Sequence, residues 1–232
     1  MALVKFGGGI TQMSGSIGGT CFARNASGNY ARSRTTPVNP QTKIQEKIRA
    51  VVAYLTDRWL ETLTPTQRAA WGDYAAAVAM KNRIGESIHL SGFNHYVRSN
   101  AALLYAGATV VDDAPTEFSL PDHDPTAAFT ASEATQNLSV SFNDSADWCK
   151  EDGGYMFLRM SRPQNPTRNF FAGPYLYAGD IAGMVEPLQS PQDIAVPTPI
   201  SAGHRLWLSC RIARADGRLS ESFQVGPISA GA

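Results

Sequence analysis

RLWLSCRIARADGRLSESFQV, residues 205–225, decides the fold class of the carboxy-terminal half. Leu206 to Ala213 is a strand-like run, Asp216-Gly217 follows it, and Leu219 to Val225 is a second run. An Asp-Gly pair between two such runs is a strong hairpin signal, because both residues tolerate the positive φ of the favoured turn. Upstream, Leu138-Ser-Val-Ser-Phe142 alternates apolar with polar, and Tyr155 to Ser161 does so less strictly. Several short strands separated by turn signals predict an antiparallel β-sandwich over residues 122–232. The proline- and glycine-rich stretch 163–203 is expected to supply irregular edge strands and loops.

Residues 39–109 change period. Asn39-Pro40 reads as an N-cap followed by proline at the first helical position. Ile44, Ile48, Val51, Leu55 and Trp59 then recur at three- and four-residue spacing, which gives one apolar stripe. Thr64-Pro65-Thr66-Gln67 opens a second helix with a capping box, and Trp71, Tyr74, Ala75 and Val78 mark its inner side. Asn82 to Gly85 is a break. Ser91-Gly92 starts a third helix, with Phe93, Tyr96, Val97, Ala101 and Leu104 inward, ending at Gly107. The expectation is a three-helix bundle. Residues 110–121, acidic and proline-rich, read as a stiff linker to a separate strand-rich unit.

The first 38 residues form a third zone. They hold seven glycines, and no carboxylate precedes Glu46. Residues 20–24 and 29–34 flank Asn25-Ala26-Ser27-Gly28, a plausible hairpin turn, so the arm is expected to carry a β-ribbon. Large apolar residues are too sparse here for an independent core. An extended arm that orders against another surface is the reading, with Phe6, Ile10, Ile17, Phe22, Arg24, Tyr30, Arg32 and Arg34 as its contact residues. The whole is α+β and multidomain: arm 1–38, helices 39–109, linker 110–121, strands 122–232.

Formal net charge is zero but unevenly placed. Lys5, Arg24, Arg32, Arg34 and Lys43 make the start basic, whereas residues 110–155 hold ten carboxylates against Lys150. Opposite patches on one chain allow head-to-tail attraction between copies. The three cysteines, Cys21, Cys149 and Cys210, are too few and scattered for a disulfide framework or zinc site, and read as reduced thiols. No secretory signal and no apolar run approaching eighteen residues is visible, so no membrane span is expected.

Two resemblances follow from these residues. LSVSF, YMFLRMSRP and the 205–225 hairpin make the carboxy-terminal zone look like a fibronectin type III or related immunoglobulin-like sandwich. SGSIGGTCFARNASGNYARSRTTPVNPQT, LTPTQRAAWGDYA and LSGFNHYVRSNAALL, in order over about residues 5–105, resemble a group of tailed-bacteriophage structural proteins of mostly unassigned role. The resemblance implies a virion component made in the host cytoplasm. Its implied partners are other copies of itself and other capsid or tail proteins. A capsid decoration or cement protein, anchored through the arm, is the leading expectation. A head–tail connector or tail protein is the alternative, as is a host-surface or carbohydrate-binding adhesin using Phe170, Phe171, Tyr175 and Tyr177 for sugar stacking.

No catalytic constellation is legible, and neither cofactor nor metal is expected. The glycine clusters lack the preceding strand, following helix and lysine of a phosphate loop. No Gly-x-Ser-x-Gly elbow is present. Asp144 and Asp147 stand beside a turn without cleft-forming context. Among His89, His95, His123 and His204, His123 between Asp122 and Asp124 is the best candidate metal ligand, yet adjacent side chains of an extended segment point apart. Arg24, Arg32 and Arg34 around Tyr30 suit phosphate contact and base stacking, but zero overall charge favours pairing with a neighbouring subunit's carboxylates.

Overall fold

Three α-helices and four antiparallel sheets make up the chain in a computed structural model that describes every residue except 1, 26, 27, 37, 83 and 187. In chain order, β1 (Ala2–Leu3), β2 (Gly15–Ile17), β3 (Thr20–Asn25) and β4 (Gly28–Ser33) form one sheet, ordered β1-β4-β3-β2. α1 (Lys43–Asp57) runs into a wider π turn, Arg58–Thr62, and α2 (Pro65–Ala77) follows. A two-stranded ribbon, β5 (Met80–Lys81) and β6 (Ser87–Ile88), leads to α3 (Gly92–Ala106). β7 (Ala128–Ser132) and β8 (Asn137–Ser141) form a three-stranded sheet with β11 (Gln192–Ala195), ordered β11-β8-β7. β9 (Tyr155–Ser161), β10 (Tyr175–Ala182), β12 (Arg205–Ala213) and β13 (Phe223–Ser229) form the last, ordered β10-β9-β12-β13.

These last two sheets bury one core. Phe129, Leu138 and Val140 of the smaller sheet meet Met156, Leu158, Met160, Leu206, Leu208 and Cys210 of the larger. The strand period of two puts alternate residues of β7, β8 and β12 into that core. β10 and β11, drawn from the proline- and glycine-rich stretch, are edge strands of their sheets. The Asp-Gly turn forms where expected, with Gly217 at φ 89° and its N–H donating to the Arg214 carbonyl. The second hairpin strand begins at Phe223, later than the Leu219 expected from the sequence. Ser220 returns its backbone and hydroxyl to Ile212, and Arg98 of α3 takes the carbonyls of Leu219 and Ser220 at 2.6 and 2.5 Å. Both carbonyls are thereby lost to the ladder.

The helices start at their caps. Thr64 and Gln67 make a reciprocal capping box with Pro65 in the first turn, Ser91 caps α3, and Gly107 ends it at φ 85°. α1 departs from expectation: Thr42 with Gln45 is its capping box, while Asn39 accepts from Gln41 and Arg49. Its apolar stripe is only half used. Leu55 is fully buried, but Ile44 and Ile48 are 59% and 48% exposed. α1 runs antiparallel to α3 and overshoots it: Lys47 already reaches the carbonyl of Tyr105, at the end of α3.

Residues 110–121, expected as a linker, are packed against both regions. Val110, Ala114 and Leu120 join the cluster around Trp71, Tyr74 and Tyr96. Leu103 of α3, Phe157, Ala213 and Leu219 form a further buried cluster, joined by Val111, so α3 packs on the outer face of the larger sheet. Gly217 of the hairpin turn lies over Val111 and the Trp71 ring. Apolar surface exposed by separation makes a hinge here unfavourable.

Gly92 and Gly72 make a paired test of the α2–α3 contact. A Cβ at Gly92 would lie 2.7 Å from the Gly72 nitrogen and 2.8 Å from the Trp71 carbonyl carbon, both backbone. A Cβ at Gly72 meets nothing within 4 Å. Gly92→Ala is expected to destabilise by about 1–3 kcal/mol through overpacking. Gly72→Ala is expected to be neutral or to stabilise by up to about 1 kcal/mol through helix propensity. Urea unfolding followed by circular dichroism measures both; equal effects would contradict the close helix approach.

Candidate assembly surface

The arm folds into a sheet that has no core. The β3–β4 hairpin runs in register from Thr20↔Ser33 to Asn25↔Gly28; the two central residues of its expected turn, 26 and 27, lie outside the described residues. β2 pairs with β3 from Gly15↔Phe22 to Ile17↔Thr20 across Gly18-Gly19, whose φ values of 55° and 81° suit a tight two-residue turn. β1 adds to β4 through Ala2↔Ala31 and Leu3↔Tyr30. Not one described residue from 2 to 41 is buried. A sheet ordinarily hides at least one face, so this one lacks its cover within the chain.

The register sorts the expected contact residues, since directly paired residues share a face. Ile17, Phe22 and Arg24 fall on one face with Ala31. Tyr30 and Arg32 fall on the other with Leu3, Ser16 and Cys21. Arg34 lies beyond β4, its N–H on the carbonyl of Gly19. Phe6 and Ile10 belong to neither face. They line a cleft of about 470 Å³ with Leu3, Val4 and Ile84, closed at one side by the Lys5–Glu86 ion pair. The eight residues therefore spread over two faces and a cleft. Leu3, Val4 and Ile84 were missed; an isoleucine in the otherwise polar Asn82–Gly85 break is the signal that could have found the last.

Charge separates the arm from the body. Arg24, Arg32 and Arg34 make no ion pair with a described carboxylate, and Lys5 alone of the arm does. The Cys21 thiol is held below its ordinary value, first by a hydrogen bond with Ser16, then by Arg32 and Arg34. The acidic stretch is largely used internally. Arg58 binds Asp112, Arg218 binds Glu117, and Arg214 binds Asp147 and Glu151. Asp124 is buried and accepts from the backbone of Thr126 and Asn143. Four of the ten acidic residues are thereby ion-paired within the chain, which weakens the acidic side of a head-to-tail attraction.

The four aromatic residues expected as a sugar-stacking surface do not share one exposed face. Phe171 is 5% exposed, stacked on Trp207 and edge-on to Tyr175. Tyr177 packs on Tyr105 and donates to Asp180. Phe170 alone of the four is open, at 73% exposure. Burial of the outer sheet face recruited the others.

No cluster of three or more His, Cys, Asp or Glu side chains able to hold a metal ion occurs among the described residues. Asp124 turns inward and leaves His123, whose ring faces Phe223. No helix among the described residues is long and apolar enough to cross a membrane. No protein-family model matches the chain, and no curated protein does. Among solved structures, the adhesin domain of Epf from Streptococcus pyogenes is similar at a TM-score of 0.29 and 12% identity, over 47% of this chain and 34% of that one. A likeness that low carries no argument.

The fold controls the titration of His95 strongly. This histidine is fully buried in α3 beside the Tyr74 ring, and neither ring nitrogen has a described protein partner. Burial first, then the charges of Arg98 and His89, lower its pKa from 6.5 to about 4. The unfolded chain then binds the proton more tightly than the folded one. The stabilisation is complete above pH 6.5 and is lost as pH falls toward 4. It amounts to about 3 kcal/mol. His95→Leu is expected to flatten that part of the stability–pH curve in urea titrations; an unchanged slope would place the loss elsewhere.

Proposed function

We propose that this chain is a non-enzymatic structural protein of a tailed-phage virion, made in the host cytoplasm. It decorates and cements the capsid, anchored through the sheet of residues 2–33. The observation that carries the reading is that sheet: four strands, three arginines without ion pairs, and no buried side chain on either face. Ordering a residue costs about 1–2 kcal/mol, and this segment recovers little of it from its own chain. A protein surface supplied by assembly offsets the rest. The helices, read as a three-helix bundle, position the anchor. The strand-rich region, read as an immunoglobulin- or fibronectin III-like sandwich, projects outward; its support is the single core shared by two antiparallel sheets. Other copies and other virion proteins are the partners. Catalysis, cofactors and nucleic acid have no part in this reading.

Deleting residues 2–38 tests it. The remaining chain keeps every buried residue described. It is expected to stay folded by circular dichroism, with an unfolding midpoint close to that of the full chain, and to lose co-sedimentation with particles. A truncated protein that still decorates particles would overturn the anchor.

A further inference from the structure

β2 is an outer strand of the arm sheet, and Gly15, Ser16 and Ile17 are all exposed. Ile17 and Thr20 flank the two-residue turn and form the hydrogen-bonded closing pair of such a hairpin. Alternation then turns the N–H and carbonyl of Ser16 away from β3, toward the open side. Proteins normally guard such an edge with lysine, proline or a bulge. Residues 6–23 contain no charged residue and no proline, so neither of those guards stands on this edge, which only the three-residue length of β2 blunts.

The geometry points to isologous pairing of β2 with β2 of a second copy, antiparallel and centred on Ser16. This inference rests on the arm being the assembling element. In that register each Ser16 exchanges two hydrogen bonds with its counterpart, and Ile17 of each copy sits opposite Gly15 of the other. A side chain that is 67% exposed is thereby laid over a residue with none. Charge permits it. Arg32 lies on β4, two strands in from the edge, so five strand spacings of about 4.8 Å separate the two Arg32 residues by roughly 24 Å. That is more than twice the Debye length at physiological ionic strength. The product is one continuous eight-stranded sheet, with Ile17 and Phe22 of both copies aligned on one face.

Sedimentation of the full-length protein reads the pairing as a doubled mass. Ser16→Pro removes the outward N–H and none of the bonds to β3, and Ile17→Lys places like charges near the joint; both are expected to give monomer. As a gain-of-contact test, Ser16→Cys in a Cys21→Ser background is expected to form an intermolecular disulfide, since hydrogen-bonded antiparallel partners have Cα atoms about 5.5 Å apart. A native chain that is monomeric over a wide concentration range, or a dimer indifferent to both edge variants, overturns edge pairing. Particle co-sedimentation separates this from the broader reading. Monomeric native protein that binds particles leaves the virion role standing without the edge; an edge-dependent dimer that binds none does the reverse.

Discussion

Asp112 is the joint on which the body of the protein depends. Its carbonyl accepts from the Trp71 indole at 2.9 Å, its carboxylate takes the Arg58 guanidinium in two bonds of 2.8 and 2.6 Å, and the Tyr96 hydroxyl adds a third. The π turn that follows α1, together with α2 and α3, is thus tied to one residue of the chain that leaves them. Arg58 holds the Asp112 carboxyl below its ordinary range, and is itself raised by the same bond. Bidentate arginine–carboxylate pairs are the strong form of ion pair, and removing either partner would strand the other half-buried. Next to it, Val111 exchanges both backbone bonds with the buried Asn100 amide. The segment between helices and strands therefore has no freedom to act as a tether.

That rigidity explains the direct seating of the hairpin on the helices. Once Val111 and Trp71 are fixed, Gly217 closes over them, and a side chain there would meet Val111 at 3.3 Å. Arg98 completes the seam. It is lowered to about 10 by burial and by Arg211, yet its guanidinium holds two carbonyls at the base of the hairpin. Carbonyls that a free hairpin would show to water are satisfied by a helix instead. The arm has none of this. It has in-register strands and tight turns, but no buried residue among those described, and only one cleft and one exposed ion pair hold it to the body; exposed ion pairs contribute little.

What the sequence disclosed was whatever local chemistry determines. Thr64-Pro65-Thr66-Gln67, Ser91, Gly107 and Asp216-Gly217 each specify a backbone conformation within a few residues, and each formed as read. Burial at a distance was not legible. Ile44 and Ile48 keep helical spacing with Leu55, yet they stay exposed, and nothing local in the sequence distinguishes them from it. The acidic, proline-bearing 110–121 stretch looks like a solvated connector because its composition is that of one. Asp112 and Glu117 are matched by arginines more than fifty residues away in sequence, and Asp113 by the Gln67 amide. Phe171 and Tyr177 read as exposed for the same reason: nothing local says that Trp207 and Tyr105 stand opposite them.

The two halves of the charge asymmetry thus have different fates, and the difference is informative. Acidic residues of the 110–155 stretch meet Arg58, Arg214 and Arg218 inside the body, where they brace the joint between helices and strands. Arginines of the arm meet no described carboxylate, although the same chain offers many. A stretch whose charges were only a solvated face would gain nothing from excluding every carboxylate across its first 45 residues while alternating Arg32 and Arg24 with Tyr30 and Phe22 on a paired sheet. An interface does gain. Unpaired guanidinium groups beside unburied aromatic rings are the composition of contact surfaces, where arginine and tyrosine are enriched. Among the described residues, burial is confined to the body, and none of residues 2–41 shares in it.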